Sequence, residues 1–234
     1  MVSCPCCYNK GMIPLYCVCT TNAERIGRMQ CRFNQLGLYH EFVTSPGTCM
    51  DGHLLCLEKF VHTGSNFGIV CEDDIHLRRD FPQELPVVLE QFKKLELDIL
   101  LLGYLLDFPL MQHQLNFGDM PSVTPIFSYH SYGSQQWGTQ MYMINRSYAT
   151  QILRHFGHSS GYRERADLNP AMTPHASDHV ITKETSRKAL IWPMMAVEEG
   201  VIRSEVDPGV PTYQSQNEFH QRVFTANYSS ELFV

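Results

Sequence analysis

Long apolar runs and basic clusters are both missing from this sequence. No apolar run approaches the ~20 residues that a helix needs to span a bilayer. Lys and Arg number 18 against 24 Asp and Glu, which gives a net charge of −6, and the basic residues form no block. We therefore expect no transmembrane segment, and no nucleic acid or anionic membrane surface as a partner.

The start of the sequence also lacks the features of a cleavable leader. Residues 1–8 are rich in cysteine and show no charged segment followed by an apolar core, so we expect no signal peptide. All nine cysteines, an odd number, lie between Cys4 and Cys71, several inside apolar strand-like runs. This pattern is typical of free thiols in a reducing compartment, and it predicts a cytoplasmic protein. The cysteines of segments 4–7 and 17–19 could in principle form a thiolate zinc site, but we do not expect one.

What the sequence does contain is a regular alternation of strand-like and helix-like segments. Hydrophobic residues make up 44% of the chain and charged residues 18%, which is typical of a globular protein with a substantial core. Apolar periodicity predicts strands over residues 13–20, 39–43, 67–71, 98–103, 137–144 and 189–193, and helices over residues 23–36, 52–62, 82–95 and 145–156, with a further helix capped by Ser177. This order predicts an α/β fold with a mostly parallel central sheet flanked by helices.

The most informative stretch is the strand that begins at Phe67, because it runs directly into Glu72, Asp73 and Asp74. A buried strand that ends in consecutive acids delivers them to one edge of a sheet, where open α/β sheets bind ligands. Three adjacent anions repel one another unless a cation lies among them. Mg²⁺ and Mn²⁺ prefer carboxylate oxygens and commonly bridge to phosphates. The stretch is consistent with a metal–diphosphate site, or with a solvated acidic turn.

Three arginines lie on the predicted helix at residues 23–36, opposite its apolar face. Arg28 and Arg32 fit a solvated helix face. Arg25 lies in the first turns of the helix, where we expect it to face the same edge of the sheet as the acids.

Between residues 104 and 136 the periodicity fails, and the stretch is rich in Pro, Tyr, His, Gln and Gly. A loop of this length in a compact domain is commonly functional. Its aromatic and histidine residues, Phe127, Tyr129, His130 and Tyr132, predict a lid over a bound substrate.

Taken together, the motifs resemble those of the family-25 glycosyltransferases, the group of bacterial lipopolysaccharide-type and large-virus sugar transferases. The resemblance covers roughly residues 15–196. Its matching positions are Arg25 and Arg28, then Glu72-Asp73-Asp74, then Gly138-Thr139 with Tyr142 and Ile144, and finally Asp178. The family also has a Ser-His pair in the helix before the acidic strand. The sequence places Glu58-Lys59 near that position, with His62 three residues later.

The resemblance implies a GT-A fold, a Rossmann-type nucleotide-binding sandwich that binds a nucleoside-diphosphate sugar through Mn²⁺ or Mg²⁺. In such sites the last acid of the triplet ligates the metal, which assigns Asp74. It places Glu72 and Asp73, with Thr20 and Arg25, around the nucleotide. One domain would fill residues 1–234, with a nucleotide-binding half at 10–103, an acceptor-side half at 104–200 and a tail at 201–234.

The resemblance also assigns roles in the second half of the chain. Asp178 becomes the candidate catalytic base, although an acid at this place also suits a helix N-terminus. His179 becomes a candidate metal ligand, and His76 either approaches the metal or is solvated. The pair Glu198-Glu199 is interpreted as an exposed acidic pair.

The expected acceptor site lies on the predicted strand 137–144. Trp137 and Tyr142 could stack on the apolar face of a sugar, or could pack in the core. Gly138 and Thr139, from the family motif, complete the candidate substrate-binding residues.

These assignments predict a metal-dependent hexosyltransferase-type enzyme that moves a sugar from a nucleoside diphosphate to a hydroxyl acceptor, with inversion expected. One alternative is a two-metal phosphoesterase or nuclease, which would need further acids or histidines converging on the triplet. Asp51, Asp119 and Asp167 are available, but their spacing fits no such motif. The other alternative is a catalytically inactive module that binds a nucleotide sugar.

Overall fold

The computed structural model of the protein describes residues 13–44, 48–105, 127–133, 136–157, 177–199 and 232–234. This part of the chain contains nine strands and five helices. In chain order they are β1 (Leu15–Cys19), α1 (Ala23–Gln35), β2 (Glu41–Thr44), α2 (Cys49–His62), β3 (Phe67–Glu72), β4 (Ile75–Leu77), α3 (Phe81–Lys94), β5 (Ile99–Leu105), β6 (Ser128–His130), β7 (Trp137–Asn145), α4 (Arg146–Phe156), α5 (Ser177–Lys183), β8 (Lys188–Trp192) and β9 (Ala196–Glu198).

Seven strands form the central sheet, in the order β2-β1-β3-β7-β5-β8-β6. The β1–β2, β1–β3 and β5–β8 pairs are parallel, whereas the β3–β7, β5–β7 and β6–β8 pairs are antiparallel. The predicted α/β class with a central sheet flanked by helices is confirmed. The sheet is mixed because β7 inserts between β3 and β5 with the opposite direction.

Both faces of the sheet are covered, which explains why the central strands are apolar without alternation. On β3, Val70 packs into one hydrophobic cluster with Leu57 and Phe60 of α2. Its neighbours Ile69 and Cys71 point to the other face and pack into a second cluster. That second cluster also contains residues of α1 and α3. The end of β3 is therefore held rigidly between two layers of helices.

The helices begin where polar caps allow them to. Asn22 accepts hydrogen bonds from the backbone N–H groups of the first turn of α1, and Asn145 accepts one at the start of α4. A capping box between Thr48 and Asp51 starts α2 at Cys49, three residues before the position that periodicity predicts. This extra turn brings Cys49 and the site face of α2 next to the end of β3.

Two short strands, β4 and β9, were missed by the sequence reasoning. They pair antiparallel in a separate two-stranded sheet, with Ile75 opposite Glu198. Three-residue strands carry too little periodicity to be recognised. Their pairing, together with a hydrogen bond of 2.7 Å from Glu199 N to Asp74 O, brings the end of β9 to the acidic triplet.

The predicted lid is wrong for the residues that the structure describes. Tyr129 and His130 lie in β6, which pairs with β8 at the edge of the main sheet. Tyr132 is buried in the core and donates a hydrogen bond of 2.7 Å to Thr182 O. Phe127 packs against the second hydrophobic cluster. These aromatic side chains are committed to packing, and the rest of the proposed loop, residues 106–126, lies outside the described residues.

Among the helices of the described ranges, none is both long enough and apolar enough to cross a membrane. The described cysteines form no disulfide: Cys17, Cys19, Cys56 and Cys71 are buried as free thiols, and Cys31 and Cys49 are exposed.

Candidate active site

The acidic triplet stands at the end of β3, beside the end of the parallel strand β1. Thr20, the residue after β1, donates its backbone N–H to Asp73 Oδ2 at 2.9 Å. Cys17 pairs with Cys71 and Val18 with Glu72 in the register of the two strands. Because parallel neighbours end at the same edge, the polar residues that follow β1 and β3 are brought together there.

Arg25, one turn into α1, lies between two of the acids. Its Nη2 atom is 2.7 Å from Asp73 Oδ1 and 2.7 Å from Asp74 Oδ2. The arginine is only 6% exposed, so its positive charge acts in a poorly solvated place. The expectation that Arg25 faces the same edge as the acids agrees with this placement.

One oxygen of the triplet has no hydrogen-bond partner among the described residues. Asp74 Oδ1 is buried and makes no hydrogen bond with any atom of the described residues. A buried, unpartnered carboxylate oxygen costs free energy unless something binds it. Glu198, at the end of β9, lies close enough for the charge of Asp74 to raise its pKa. The unpartnered oxygen and the neighbouring carboxylate are a donor set that suits a cation.

The pKa values at this edge record an excess of negative charge. Burial, followed by the charge of Glu72, raises the pKa of Asp74 to about 7, against the opposing effect of Arg25. Burial, followed by the charges of Asp74 and Glu72, raises the pKa of Glu198 to about 8. One arginine does not neutralise this group of carboxylates, and a divalent cation would complete the neutralisation.

Glu72, the first acid of the triplet, contacts β7 and α2 instead of Arg25. Its Oε1 accepts a hydrogen bond of 2.8 Å from Thr139 Oγ1 and lies 3.3 Å from His53 Nε2. Burial opposes ionisation of Glu72, but the hydrogen bond and charge of His53 and the hydrogen bond from Thr139 together lower its pKa. Thr139 also contacts Ser177 Oγ at 2.9 Å, which ties β7 to the start of α5.

Asp178, in the first turn of α5, is held by the backbone of β7. Its Oδ1 atom accepts a short hydrogen bond from Gly138 N, and burial, followed by the charge of Glu72, raises its pKa. Trp137, just before this glycine, lies under the Lys183 ammonium, which is 4.1 Å from the centre of its ring. The carboxylate of Asp178 is thus fixed by one oxygen at the same edge as the triplet.

Gly138 cannot carry a side chain without disturbing this arrangement. Its φ of +124° is in the region that favours glycine, and an added Cβ would lie 2.7 Å from Tyr104 Cα and closer still to Leu105 N. We expect Gly138→Ala to lower the free energy of unfolding by about 2–4 kcal/mol and to displace the donor to Asp178. Thermal melting would measure the loss. Gly133→Ala, where an added Cβ meets nothing within 4 Å, is the control. Equal stability of the two variants would contradict the prediction.

The pair Glu198-Glu199 is not an exposed acidic pair. Glu199 is buried, and its Oε1 lies 3.3 Å from Arg28 Nε and 2.5 Å from Arg32 Nη2. Although burial opposes it, the charges of these arginines lower the pKa of Glu199. The expected solvated arginine face of α1 is therefore wrong as well, since Arg28 and Arg32 anchor the strand that delivers Glu198.

The structure brings most of the predicted site residues to one edge: Thr20, Arg25, Glu72, Asp73, Asp74, Gly138, Thr139 and Asp178. Tyr142 differs, because it is fully buried and its hydroxyl lies 3.1 Å from His53 Nδ1. It lies behind His53, where its ring is not open to a sugar. The side chain of His179 lies outside what the structure describes. His76 points instead to the C-terminal residues, with Nδ1 3.1 Å from Val234 O.

Two residues at the site were missed by the sequence reasoning, namely His53 and Glu198. The motif comparison looked for the histidine of α2 near Glu58-Lys59, but His53 is the histidine of this helix that contacts the acidic triplet. Its spacing of four from Cys49, on the helix face toward β3, was the available signal. Glu198 gave no signal, because its position depends on the short β4–β9 pairing.

The fold and this site define an α/β protein with a cluster of carboxylates at one edge of its central sheet. Residues 45–162 match the sequence profile of glycosyltransferase family 25, described as LPS biosynthesis protein. The chain belongs to this family, whose members are transferases of glycosyl groups. The family membership supports a role in glycosyl transfer, with a sugar donor and an acceptor as partners.

Solved structures give weaker similarities. A197 from STIV is 12% identical, with 76% of this chain and 81% of that chain covered at a TM-score of 0.46. A glycosyltransferase involved in glycosylation of the major capsid of PBCV-1 is 8% identical. The similarity covers 90% of this chain and 100% of that chain, at a TM-score of 0.35. HddC from Yersinia pseudotuberculosis is 12% identical. The similarity covers 90% of this chain and 80% of that chain, at a TM-score of 0.39. No curated protein sequence matches the chain significantly.

Proposed function

We propose that the protein is a metal-dependent glycosyltransferase that moves a sugar, of the hexose type, from a nucleoside diphosphate to a hydroxyl acceptor with inversion. The observation that carries the proposal is the buried Oδ1 of Asp74, which has no hydrogen-bond partner among the described residues and whose carboxylate raises the pKa of the nearby Glu198, in a family of glycosyltransferases. Arg25 is the partner of the other Asp74 oxygen, and a pair of carboxylates is the donor set that Mn²⁺ or Mg²⁺ prefers.

Asp74 and Glu198 are the residues that would hold the metal. Both are acids, one on each side of the β4–β9 pairing, and the charge of Asp74 raises the pKa of Glu198. When bound, the metal would neutralise the charge that develops on the diphosphate as it leaves the sugar. His179 remains a candidate for a further ligand.

The residues around the metal position the donor. Asp73 is oriented by Thr20 N and by Arg25, so its carboxylate is fixed at the end of β1, where a ribose hydroxyl could be bound. Glu72 is ionised and oriented by Thr139, which suits it to accept hydrogen bonds from the nucleoside or the sugar. Arg25 holds Asp73 and Asp74 in place through both contacts.

Asp178 would take the proton from the acceptor hydroxyl. The hydrogen bond from Gly138 N fixes one carboxylate oxygen, and the other would accept the proton. A raised pKa makes a carboxylate a better base near neutral pH. Trp137, on the strand that holds this base, is the remaining candidate for stacking against an acceptor sugar.

The phosphoesterase alternative needs additional acids at the triplet. Of those considered from the sequence, Asp51 is committed to the capping box of α2, and Asp119 and Asp167 lie outside the described residues. Asp178 and Glu198 do converge on the triplet, so the assay must include phosphodiester substrates. The family membership favours glycosyl transfer.

Thermal melting across UDP-, GDP-, dTDP- and CMP-sugars, each with and without Mn²⁺, tests the proposal. We expect one nucleotide class to stabilise the protein, and to do so only with the metal. Hydrolysis of that donor, measured by mass spectrometry beside cleavage of nucleic acid, tests the chemistry. Stabilisation that is independent of the metal, or cleavage of nucleic acid alone, would overturn the proposal. Metal-dependent binding without turnover in an acceptor screen would indicate an inactive module.

The raised pKa values of Asp74 and Glu198 predict how stability depends on pH. An acid whose pKa is higher in the folded state destabilises the fold once ionised, so metal-free stability falls as pH rises and levels off above about 8. Below about pH 6.5, His76, whose pKa is lowered by burial, opposes this trend. From about pH 6.5 to 8 we expect the free energy of unfolding of the metal-free protein to fall by an amount on the order of 1–2 kcal/mol. Saturating Mn²⁺ should abolish this fall. A free energy of unfolding that does not change with pH in the metal-free protein would contradict the prediction.

A further inference from the structure

A second group of side chains of the metal-binding type surrounds Glu72, the first acid of the triplet. Cys49 and His53 are four residues apart on α2, and Glu72 ends β3 beside them. One ligand atom from each residue lies within 4.8 Å of the other two. Cys49 Sγ is 3.9 Å from Glu72 Oε1, and His53 Nε2 is 3.3 Å from the same oxygen.

From this cluster we infer that Cys49, His53 and Glu72 form a three-ligand site for zinc or another borderline-soft divalent cation, distinct from the hard-cation site at Asp74. Around one tetrahedral zinc, sulfur, nitrogen and oxygen ligands lie about 3.3–3.6 Å from one another. The His53–Glu72 distance already fits this value, and the Cys49–Glu72 distance exceeds it by a few tenths of an ångström. The ligand atoms of Cys49 and His53 lie within 4.8 Å of each other, so Cys49 would have to move toward both partners to close the site.

The chemistry of the ligands separates the two sites. A thiolate and an imidazole favour zinc, whereas carboxylates alone favour Mg²⁺ and Mn²⁺. Cys49 is exposed, which gives an ion a route into the cluster. Three protein ligands leave a fourth position open for water or for a substrate oxygen.

The surroundings hold two of the ligands in orientation. His53 is fully buried, and its Nδ1 lies 3.1 Å from Tyr142 Oη. In the tautomer that donates from Nδ1 to this hydroxyl, Nε2 presents its lone pair to the cluster. Thr139 donates a hydrogen bond of 2.8 Å to Glu72 Oε1 and thereby fixes the carboxylate. Metal-ligating histidines and carboxylates commonly have such partners.

Zinc binding has a consequence for protons and for Glu72. The Cys49 thiol must lose its proton to the buffer, while Glu72 already binds as a carboxylate. A bound zinc would also occupy Glu72, which the proposed function places beside the donor. The inference about zinc binding itself does not depend on the protein's being a glycosyltransferase.

Zinc titration against a chromophoric chelator tests the site. The protein should first carry Cys4→Ser, Cys6→Ser and Cys7→Ser, because thiols near the N-terminus could bind zinc independently. In this background we expect one bound equivalent, and Cys49→Ser should weaken its binding by on the order of 100-fold or more, since even residues behind a ligand are worth 10- to 100-fold. The matched control is Cys31→Ser. This variant changes an exposed thiol on a different helix, α1, and should bind zinc with unchanged affinity.

Cobalt provides a readout that a fold defect cannot imitate. Co²⁺ bound through Cys49 should give a thiolate-to-metal charge-transfer absorption, which Cys49→Ser removes and Cys31→Ser retains. His53→Gln, which can keep a hydrogen bond toward Tyr142, should also lose tight zinc binding. Zinc affinity that is unchanged in Cys49→Ser, or a cobalt complex without thiolate absorption, would overturn the inference. Neither outcome would affect the Mn²⁺-dependent donor binding proposed above, so the two failures are distinguishable.

Discussion

Asp74→Ala is expected to abolish the Mn²⁺-dependent stabilisation by nucleotide sugar and to lower transfer by about a thousandfold or more. The variant removes the carboxylate whose Oδ1 has no partner in the described structure, and with it a proposed ligand of the metal. A metal that neutralises a leaving diphosphate supplies several kcal/mol of transition-state stabilisation, and about 1.4 kcal/mol corresponds to a factor of ten in rate. Thermal shifts with and without Mn²⁺, and initial rates at saturating metal, would measure both effects.

The fold should survive this substitution. Asp74 is one of several like charges, and its ionisation is opposed by burial and by Glu72. Removing it leaves Arg25 paired with Asp73 at 2.7 Å. We therefore expect the metal-free melting temperature to stay constant or to rise. The control is Glu90→Gln, which removes an exposed acid on α3 and should change neither stability nor metal response. An undiminished Mn²⁺ response in Asp74→Ala would count against the metal assignment.

The main sheet could be predicted from the sequence because its central strands are buried on both faces. A continuous apolar run followed by three acids places β3 and its carboxylates with few alternatives. Arg25 was placed correctly for a related reason, since an N-capped helix that follows a parallel strand starts at the same edge. The direction of β7 was not predictable, because residue alternation does not distinguish parallel from antiparallel pairing in a buried strand.

Glu198 and His53 show where sequence reasoning stops. Glu198 reaches the site through a three-residue pairing between β4 and β9, together with the Arg28 and Arg32 contacts to Glu199. These contacts join residues more than 100 positions apart, and no local pattern encodes them. To recognise His53 as a site residue, the start of α2 had to be predicted correctly, so that Cys49 and His53 fall on one face of the helix. That start depends on the capping box of Thr48 and Asp51, and Asp51 had been considered as a metal ligand. Long-range pairings and helix caps decided both positions.

The lid prediction failed for a physical reason that the composition concealed. Tyr, His and Phe at residues 127–132 suggested a binding loop, but buried tyrosines are equally suited to a core when a backbone acceptor is near. Tyr132 has such an acceptor in Thr182 O. An aperiodic segment can therefore contribute an edge strand, as β6 does, without producing a detectable pattern.

The second large effect is expected from Asp178→Asn. The asparagine keeps an oxygen that can accept the hydrogen bond from Gly138 N, so the geometry of β7 and α5 is retained while the base is lost. A general base contributes about 100- to 10,000-fold to a rate, and we expect kcat to fall by an amount in this range with little change in KM for the donor. Glu184→Gln, at an exposed residue just after the same helix, should behave like the unmodified protein.

The pH profile distinguishes a base from a structural acid at this position. Burial and the charge of Glu72 raise the pKa of Asp178, so its ionised fraction, and with it kcat, should decrease as the pH falls through that raised pKa. The residual activity of Asp178→Asn should lack this acidic decline. A variant that keeps kcat but raises KM for the donor would instead place Asp178 in substrate binding.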